Sequence, residues 1–222
     1  MMTTDFPVPL DTFTQRRDIW GVELLDCVNL VHKDSGQSPV MFVSGAVLFP
    51  FCSVPLRIFE PRYTSMLDDA LESSRTFVLS FEEEDNFEHG MGTMGLIKTS
   101  MKQPDGTSIL FLEGLYKVNI FQPIQTDADY PVFNYEKRKS IDSKPNDNLL
   151  VQLKNKYREL SSKFDDIDYP KDLNFNDMGD CERLLDVFSH NIETKKMIYK
   201  MNDAENKASM TLAIIKSILN KI

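Results

Sequence analysis

The charged and aromatic residues of this chain that could form a binding site lie close together, between positions 48 and 71. Three of them are charged and flank the start of a predicted helix: Arg57, Glu60 and Arg62. Such a cluster can contact a partner. Alternatively it serves the helix itself, with Glu60 accepting bonds from the first amides and pairing with an arginine. Because charges near helix ends are routinely structural, the sequence favours this second interpretation.

Three phenylalanines in the same stretch, Phe49, Phe51 and Phe59, could line an apolar groove for an unfolded polypeptide segment. The alternative is core packing, which we expect for Phe49 and Phe59 because large aromatic side chains are usually buried. For Phe51, which follows Pro50 in a predicted loop, both interpretations stay open.

The sequence contains no recognisable catalytic motif. It has neither a Gly-x-x-x-x-Gly-Lys-Ser/Thr loop for nucleotide phosphates nor a Gly-x-Ser-x-Gly nucleophile. Its three cysteines, Cys27, Cys52 and Cys181, are too widely spaced for a zinc site or a disulfide framework. We expect His89 and the acidic run 82–85 to be solvated. The sequence therefore predicts a protein that is not an enzyme and needs no cofactor or metal.

Composition argues against a membrane and against nucleic acid as partners. No run of about 18 apolar residues and no signal-peptide pattern is present, so we expect no membrane contact and a cytoplasmic location. The net charge of -9 disfavours nucleic acid, because a polyanion would be repelled. One basic cluster, Lys137-Arg138-Lys139, keeps an RNA-binding alternative open, although a charged strand end explains it as well.

The elements that must position these residues are mainly strands up to about residue 143. One helix is predicted after Pro61, because its apolar residues recur at helical spacing: Tyr63, Met66, Leu67, Ala70 and Leu71. Asp105-Gly106 lies between two extended runs and predicts a hairpin. The strands are predicted at residues 40–43, 46–49, 55–59, 76–81, 92–101, 107–112, 117–121 and 132–137, with an interruption at 113–116.

After residue 143 the apolar period changes from two to about 3.6. Four helices are predicted, at 149–164, around Leu184–Phe188, around Met197–Met201 and at 208–222, with Asn146 or Asp147 and Asp203 as caps. Residues 18–31 are predicted to form a short helix or strand that ends at a turn at 33–36. The predicted division is an extension at 1–38, a β-rich subdomain at 39–143 and a helical subdomain at 144–222.

The stretch from Leu48 to Leu71 resembles the signature of the amino-terminal domain of Lon proteases. It reads Leu-Phe-Pro, then Pro-Leu-Arg-Ile-Phe-Glu-Pro-Arg-Tyr, then a helix ending Asp-Ala-Leu. Residues 92–97, the Pro104-Asp105-Gly106 turn and residues 113–120 follow in the family's order. Phe51 and Lys117 depart from the family pattern, which usually has glycine and arginine at these positions.

The resemblance implies an α+β fold in which a PUA-like β-barrel is followed by a carboxy-terminal helical bundle. It also implies a non-catalytic module that recognises unfolded polypeptide, as an adaptor or chaperone-like factor in bacterial protein quality control. The ATPase and peptidase modules of such a protease would need several hundred further residues. The expected partner-binding residues are Phe49, Phe51, Arg57, Phe59, Glu60 and Arg62. An RNA-binding PUA-like module is the alternative.

Overall fold

The computed structural model describes residues 33–84, 87, 89–139, 143–164, 170 and 173–221. The strands within them are β1 (Ser35–Phe42), β2 (Ser53–Ile58), β3 (Thr76–Ser80), β4 (Gly90–Lys102), β5 (Ser108–Ile124) and β6 (Val132–Lys137). The helices are α1 (Pro61–Glu72), α2 (Asp147–Ser161), α3 (Gly179–Phe188), α4 (Ile192–Lys200) and α5 (Ala204–Leu219). We call β1–β6 with α1 the sheet lobe, and α2–α5 the helical lobe.

The sheet closes on itself into a ring. Its strand order is β2-β5-β4-β3-β1-β6, and β6 also pairs with β5, so that β5, β4, β3, β1 and β6 surround a common interior. Strand β2 lies outside this ring and pairs with the first half of β5. The predicted α+β fold, a closed sheet followed by a helical bundle, is confirmed.

Most predicted elements are confirmed, and the exceptions have physical causes. Helix α1, the hairpin at Gly106 and strand β6 form as expected, and Asn146 and Asp203 each accept a cap bond from the first turn of a helix. The predicted strand at 46–49 is wrong, because these residues pair with no strand. They belong to residues 46–52, which we call the crossing segment because it crosses β5 at Gly114. The predicted turn at 33–36 is wrong from Ser35 onward, where β1 begins. The predicted element at 18–31 lies outside the described residues.

Each lobe has its own main core. In the sheet lobe, α1 packs Met66 and Leu67 against inward residues of β2 and β5 such as Leu56 and Leu112. In the helical lobe the core comes from α2, α3 and α5: Leu153, Leu160, Leu184, Leu212 and Ile215. The two lobes are therefore separately packed bodies that meet along a limited surface.

Strand β5 continues through the interruption predicted at 113–116, because Gly114 allows another part of the chain to cross it. The Phe51 amide donates to the Gly114 carbonyl oxygen at 2.8 Å, and the Gly114 amide donates to the Cys52 carbonyl oxygen at 2.9 Å. A Cβ atom at Gly114 would lie 2.2 Å from the Phe49 carbonyl oxygen. No side chain fits at this crossing, and the ladder to β4 shifts register beside it.

We expect Gly114→Ala to lower the free energy of unfolding by about 2–3 kcal/mol, because its methyl group would displace the backbone at Phe49. Gly45→Ala is the matched control, since a Cβ there meets no atom within 4 Å. Denaturant unfolding of the two variants measures the difference. Equal losses in both would show that the crossing does not constrain β5.

Candidate functional site

The structure separates the three candidate phenylalanines. Phe49 is fully buried beside Val47, Phe81 and Tyr199, so its assignment as a partner-binding residue is corrected to core packing. Phe59 is 68% exposed, and the core packing expected for it is wrong. The reason is the alternation of β2, which buries Leu56 and Ile58 and leaves Arg57 and Phe59 facing solvent. Phe51, whose role was open, is 75% exposed.

The three charged candidates form local ion pairs. Arg57 Nη2 lies 2.8 Å from Asp105 Oδ2 and joins β2 to the β4–β5 hairpin. Arg62 contacts Glu60 at 3.2 Å and Glu84 at 2.8 Å. Glu60 occupies the N-cap position of α1, yet its side chain accepts no helix amide, so the expected cap is wrong and the expected pairing is confirmed. Because these pairs are exposed, solvent screens them and they add little to stability.

An apolar surface that the sequence does not predict lies on the outside of the sheet. Directly opposed residues of antiparallel strands share one face. Pro55 is opposite Phe111, and Phe111 is opposite Thr99; Arg57 is opposite Ile109, and Ile109 is opposite Met101. We define the outer apolar face by its apolar members and the adjoining phenylalanine: Pro55, Phe59, Met101, Ile109 and Phe111.

Solvent reaches the largest side chains of the outer apolar face. Met101 is 61% exposed and Phe111 is 48% exposed, while their neighbours Leu110 and Leu112 are fully buried. The run 109–112 is apolar throughout, so its sequence predicts a strand without showing which residues face inward. The pairing register with β2 and β4 supplies that information.

Phe51 extends the exposed aromatic surface beyond the start of β2. Its φ angle is +62°, in the left-handed region that favours glycine. The hydrogen bond from its amide to Gly114 holds the loop in this conformation. This backbone explains why the resemblance implies glycine at the position. The chain keeps an exposed aromatic side chain where the backbone disfavours one.

The helical lobe is attached to the ring through Tyr199 of α4. The buried aromatic ring of Tyr199 packs edge-on against the ring of Phe81, with 4.9 Å between the two centroids, and its centroid lies 6.0 Å from that of Phe49. Its hydroxyl donates to the Gly92 carbonyl oxygen and lies 2.9 Å from Thr93 Oγ1. A single aromatic residue thus inserts between the crossing segment and strand β4.

A buried charge cluster surrounds this tyrosine. Lys117 Nζ and Lys207 Nζ both donate to Glu182 Oε1 at 2.5 Å, and Lys117 also donates to the Tyr199 carbonyl oxygen at 3.0 Å. The Lys117 ammonium lies 4.2 Å from the Tyr199 ring centroid. We call Thr93, Lys117, Glu182, Tyr199 and Lys207 the lobe joint. Burial lowers the pKa of Lys117 to about 8, although Glu182 opposes the shift.

The lobe joint leaves the outer apolar face open. Thr93 and Lys117 are paired across β4 and β5, whereas the outer apolar face occupies positions 101 of β4 and 109–111 of β5. At about 3.4 Å per residue, Lys117 and Phe111 are roughly 20 Å apart along the strand. The helical lobe therefore covers the part of the sheet around Thr93 and Lys117 and leaves the outer side of the part that pairs with β2 uncovered.

The described residues do not assemble a reactive centre at the cysteines or a metal site. Burial raises the thiol pKa of both Cys52 and Cys181 to about 12, so both stay protonated and poorly nucleophilic at neutral pH. In the described ranges no three His, Cys, Asp or Glu side chains are grouped to hold a metal ion. Within the same ranges no helix has the length and apolar character needed to cross a membrane. Cys27 lies outside them.

The basic cluster at the end of β6 is engaged within the molecule. The Lys137 ammonium lies 4.7 Å from the Tyr116 ring centroid. Arg138 contacts the Met91 sulfur at 2.8 Å and also pairs with Asn202. These contacts give Lys137 and Arg138 a structural role.

Comparison with known sequences gives a consistent family match. Residues 37–220 match the family model described as the ATP-dependent protease La (LON) substrate-binding domain. The chain is 23% identical over 185 residues to a Lon protease of Dictyoglomus thermophilum and 24% identical over 196 residues to one of Elusimicrobium minutum. These alignments cover 76% and 83% of this chain, and 23% and 24% of the two proteases. The chain thus spans about a quarter of the length of these relatives.

Solved structures show the same fold. The N-terminal domain of a Mycobacterium avium complex Lon protease is similar with a TM-score of 0.66 at 14% identity, covering 82% of this chain and 98% of that one. A Lon N-terminal domain protein from Xanthomonas campestris is similar with a TM-score of 0.60 at 17% identity, covering 80% of this chain and 98% of that one.

We expect Phe51→Gly to raise the free energy of unfolding by about 0.5–1 kcal/mol. It removes left-handed strain of about 1–2 kcal/mol, which outweighs the extra backbone entropy of glycine, about 0.5–1 kcal/mol. The lost side chain is largely exposed and contributes little packing. Denaturant unfolding measures the gain. Phe51→Ala is the control, and an equal gain from alanine would contradict the explanation by φ.

The lobe joint predicts a specific pH dependence. The folded-state pKa of Lys117, about 8, lies below its ordinary value of 10.5. Between these values the unfolded chain binds more protons at Lys117 than the folded chain, so stability rises with pH there. The free energy of unfolding of the wild type, minus that of Lys117→Met, should increase by about 2–3 kcal/mol from roughly pH 7 to pH 10. A constant or falling difference in urea unfolding would contradict the buried position of this ammonium.

Proposed function

The chain belongs to the Lon substrate-binding domain family, and on this premise we propose that it binds unfolded polypeptide through the outer apolar face. The domain description supports a protein ligand, because the substrate of a protease is polypeptide. Binding is proposed without catalysis, since the family match covers the substrate-binding domain alone.

The observation that supports this proposal is the exposed apolar row on the outer sheet surface. Phe111 lies opposite Pro55, and Ile109 and Met101 lie in the next row across the sheet, opposite Arg57. Phe59 follows directly after the end of β2. Contiguous exposed apolar side chains of this kind mark interaction surfaces. Strand spacing puts them about 5 Å apart across the sheet and about 7 Å apart along it, which suits the alternating side chains of an extended segment.

Side-chain burial, and not backbone pairing, would provide the affinity. Strand β2 is the outermost strand of the sheet, so its free edge could in principle accept another strand. Pro55 in the middle of β2 has no N–H to donate and interrupts such a ladder. Recognition would then depend on apolar character more than on sequence, as binding of varied unfolded chains requires.

We propose accordingly that the protein serves protein quality control in the cytoplasm, as an adaptor or chaperone-like factor that holds unfolded chains. Residues 39–143 would supply the binding surface and residues 144–222 the supporting helical lobe. Of the predicted extension at 1–38, residues 35–38 belong to β1 and so to the sheet lobe. Because Lys137 and Arg138 contact groups of the same chain, no described residue favours the RNA-binding alternative.

The double variant Phe59→Ser with Phe111→Thr should weaken binding of a reduced and alkylated polypeptide by at least about tenfold. Each substitution removes an exposed apolar contact worth about 1 kcal/mol or more at a binding surface. Equilibrium titration measures the affinity. Val151→Thr is the matched control, because Val151 is an exposed apolar residue of the helical lobe.

Salt separates apolar from electrostatic binding in the same titration. Affinity should change little between low salt and about 0.5 M salt, because burial of apolar surface is not screened. Equal affinity of the double variant and the wild type, or complete loss of binding at high salt, would contradict the proposed surface.

A further inference from the structure

An apolar segment of this chain precedes the family domain. Residues 18–31 read Asp-Ile-Trp-Gly-Val-Glu-Leu-Leu-Asp-Cys-Val-Asn-Leu-Val, in which 9 of 14 residues are apolar. The family match begins at residue 37, so these residues lie outside it. A segment this apolar gains free energy by leaving water, and it therefore needs a surface to cover.

The outer apolar face is such a surface, and it lies within reach. Asp34, at the start of the described chain, lies next to β6, because the Lys137 amide donates to its carbonyl oxygen at 2.6 Å. Lys137 in turn is paired with Val118 of β5. Phe111 lies seven residues from Val118 along β5, about 24 Å away. Leu25, in the middle of the apolar segment, can lie up to about 30 Å from Asp34 along an extended chain.

We infer that the amino-terminal part of this segment, residues 18–25, binds the outer apolar face of its own chain and competes there with unfolded polypeptide, while residues 26–33 span the distance to β1. This inference rests on the proposed function, because it names the segment that covers the outer apolar face when no polypeptide is bound there. The segment is tethered, so its effective concentration at the face is high even if each contact is weak. An unfolded chain would then bind by displacing it.

Trp20 makes this inference directly testable, because it is the only tryptophan of the protein. In the 222-residue chain its fluorescence emission should be shifted to shorter wavelength than that of a free peptide of residues 18–31. The Phe59→Ser with Phe111→Thr variant should shift the emission back toward that of the peptide. Val151→Thr should leave it unchanged. Excess reduced and alkylated polypeptide without tryptophan should move the wild-type emission as the double variant does.

Substitutions within the segment test the competition. Leu24→Asp with Leu25→Asp should expose Trp20 and raise the affinity for the reduced and alkylated polypeptide. The gain should be about tenfold if the segment covers the face about nine-tenths of the time. Unchanged affinity in this variant would overturn the competition.

Three fluorescence results would overturn the inference: an emission equal to that of the free peptide, a shifted emission that ignores the double variant, and a shift that depends on protein concentration. The last would identify a second copy as the occupant. Failure of the proposed function looks different. In that case Trp20 responds to the double variant, while added polypeptide neither binds nor displaces the segment.

Discussion

The insertion of Tyr199 between the crossing segment and strand β4 is the contact on which the rest of the molecule depends. Its ring supplies the apolar contact with Phe49 and Phe81, and Lys117 holds its carbonyl oxygen and faces its ring. Buried ion pairs add little net stability. The charges around Tyr199 therefore contribute more to the orientation of the helical lobe than to the free energy that holds it against the sheet lobe. A point-like ammonium at position 117 suits this geometry, since it meets Glu182 and the Tyr199 carbonyl oxygen at once.

Strand β5 connects this joint to the proposed binding surface. It pairs with β2, β4 and β6, so it supports the ring and the outer strand together. Its period-two alternation buries Leu110 and Leu112 and exposes Phe111 between them. Core and surface thus come from the same run of apolar residues. Gly114 makes this possible, because it lets the chain cross β5 without breaking the strand.

Features that depend on neighbouring residues could be predicted from the sequence, and those that depend on distant pairing could not. Helix α1 follows from its apolar spacing, and the turn at Gly106 follows from Asp-Gly. The exposure of Phe59 depends on how β2 pairs with β5, and the burial of Lys117 depends on Tyr199, 82 residues away. The exposure of Phe111 and Met101 could not be predicted for the same reason, because an apolar run does not show which of its residues face inward.

The binding site for unfolded polypeptide can be mapped most directly by following the backbone amide resonances of the 222-residue chain during titration with a reduced and alkylated polypeptide. If the polypeptide binds the outer apolar face, the largest shifts occur at Arg57, Phe59, Met101 and Phe111, with little change in α2. Shifts confined to the helical lobe, or no shifts at saturating polypeptide, would contradict binding at the outer apolar face.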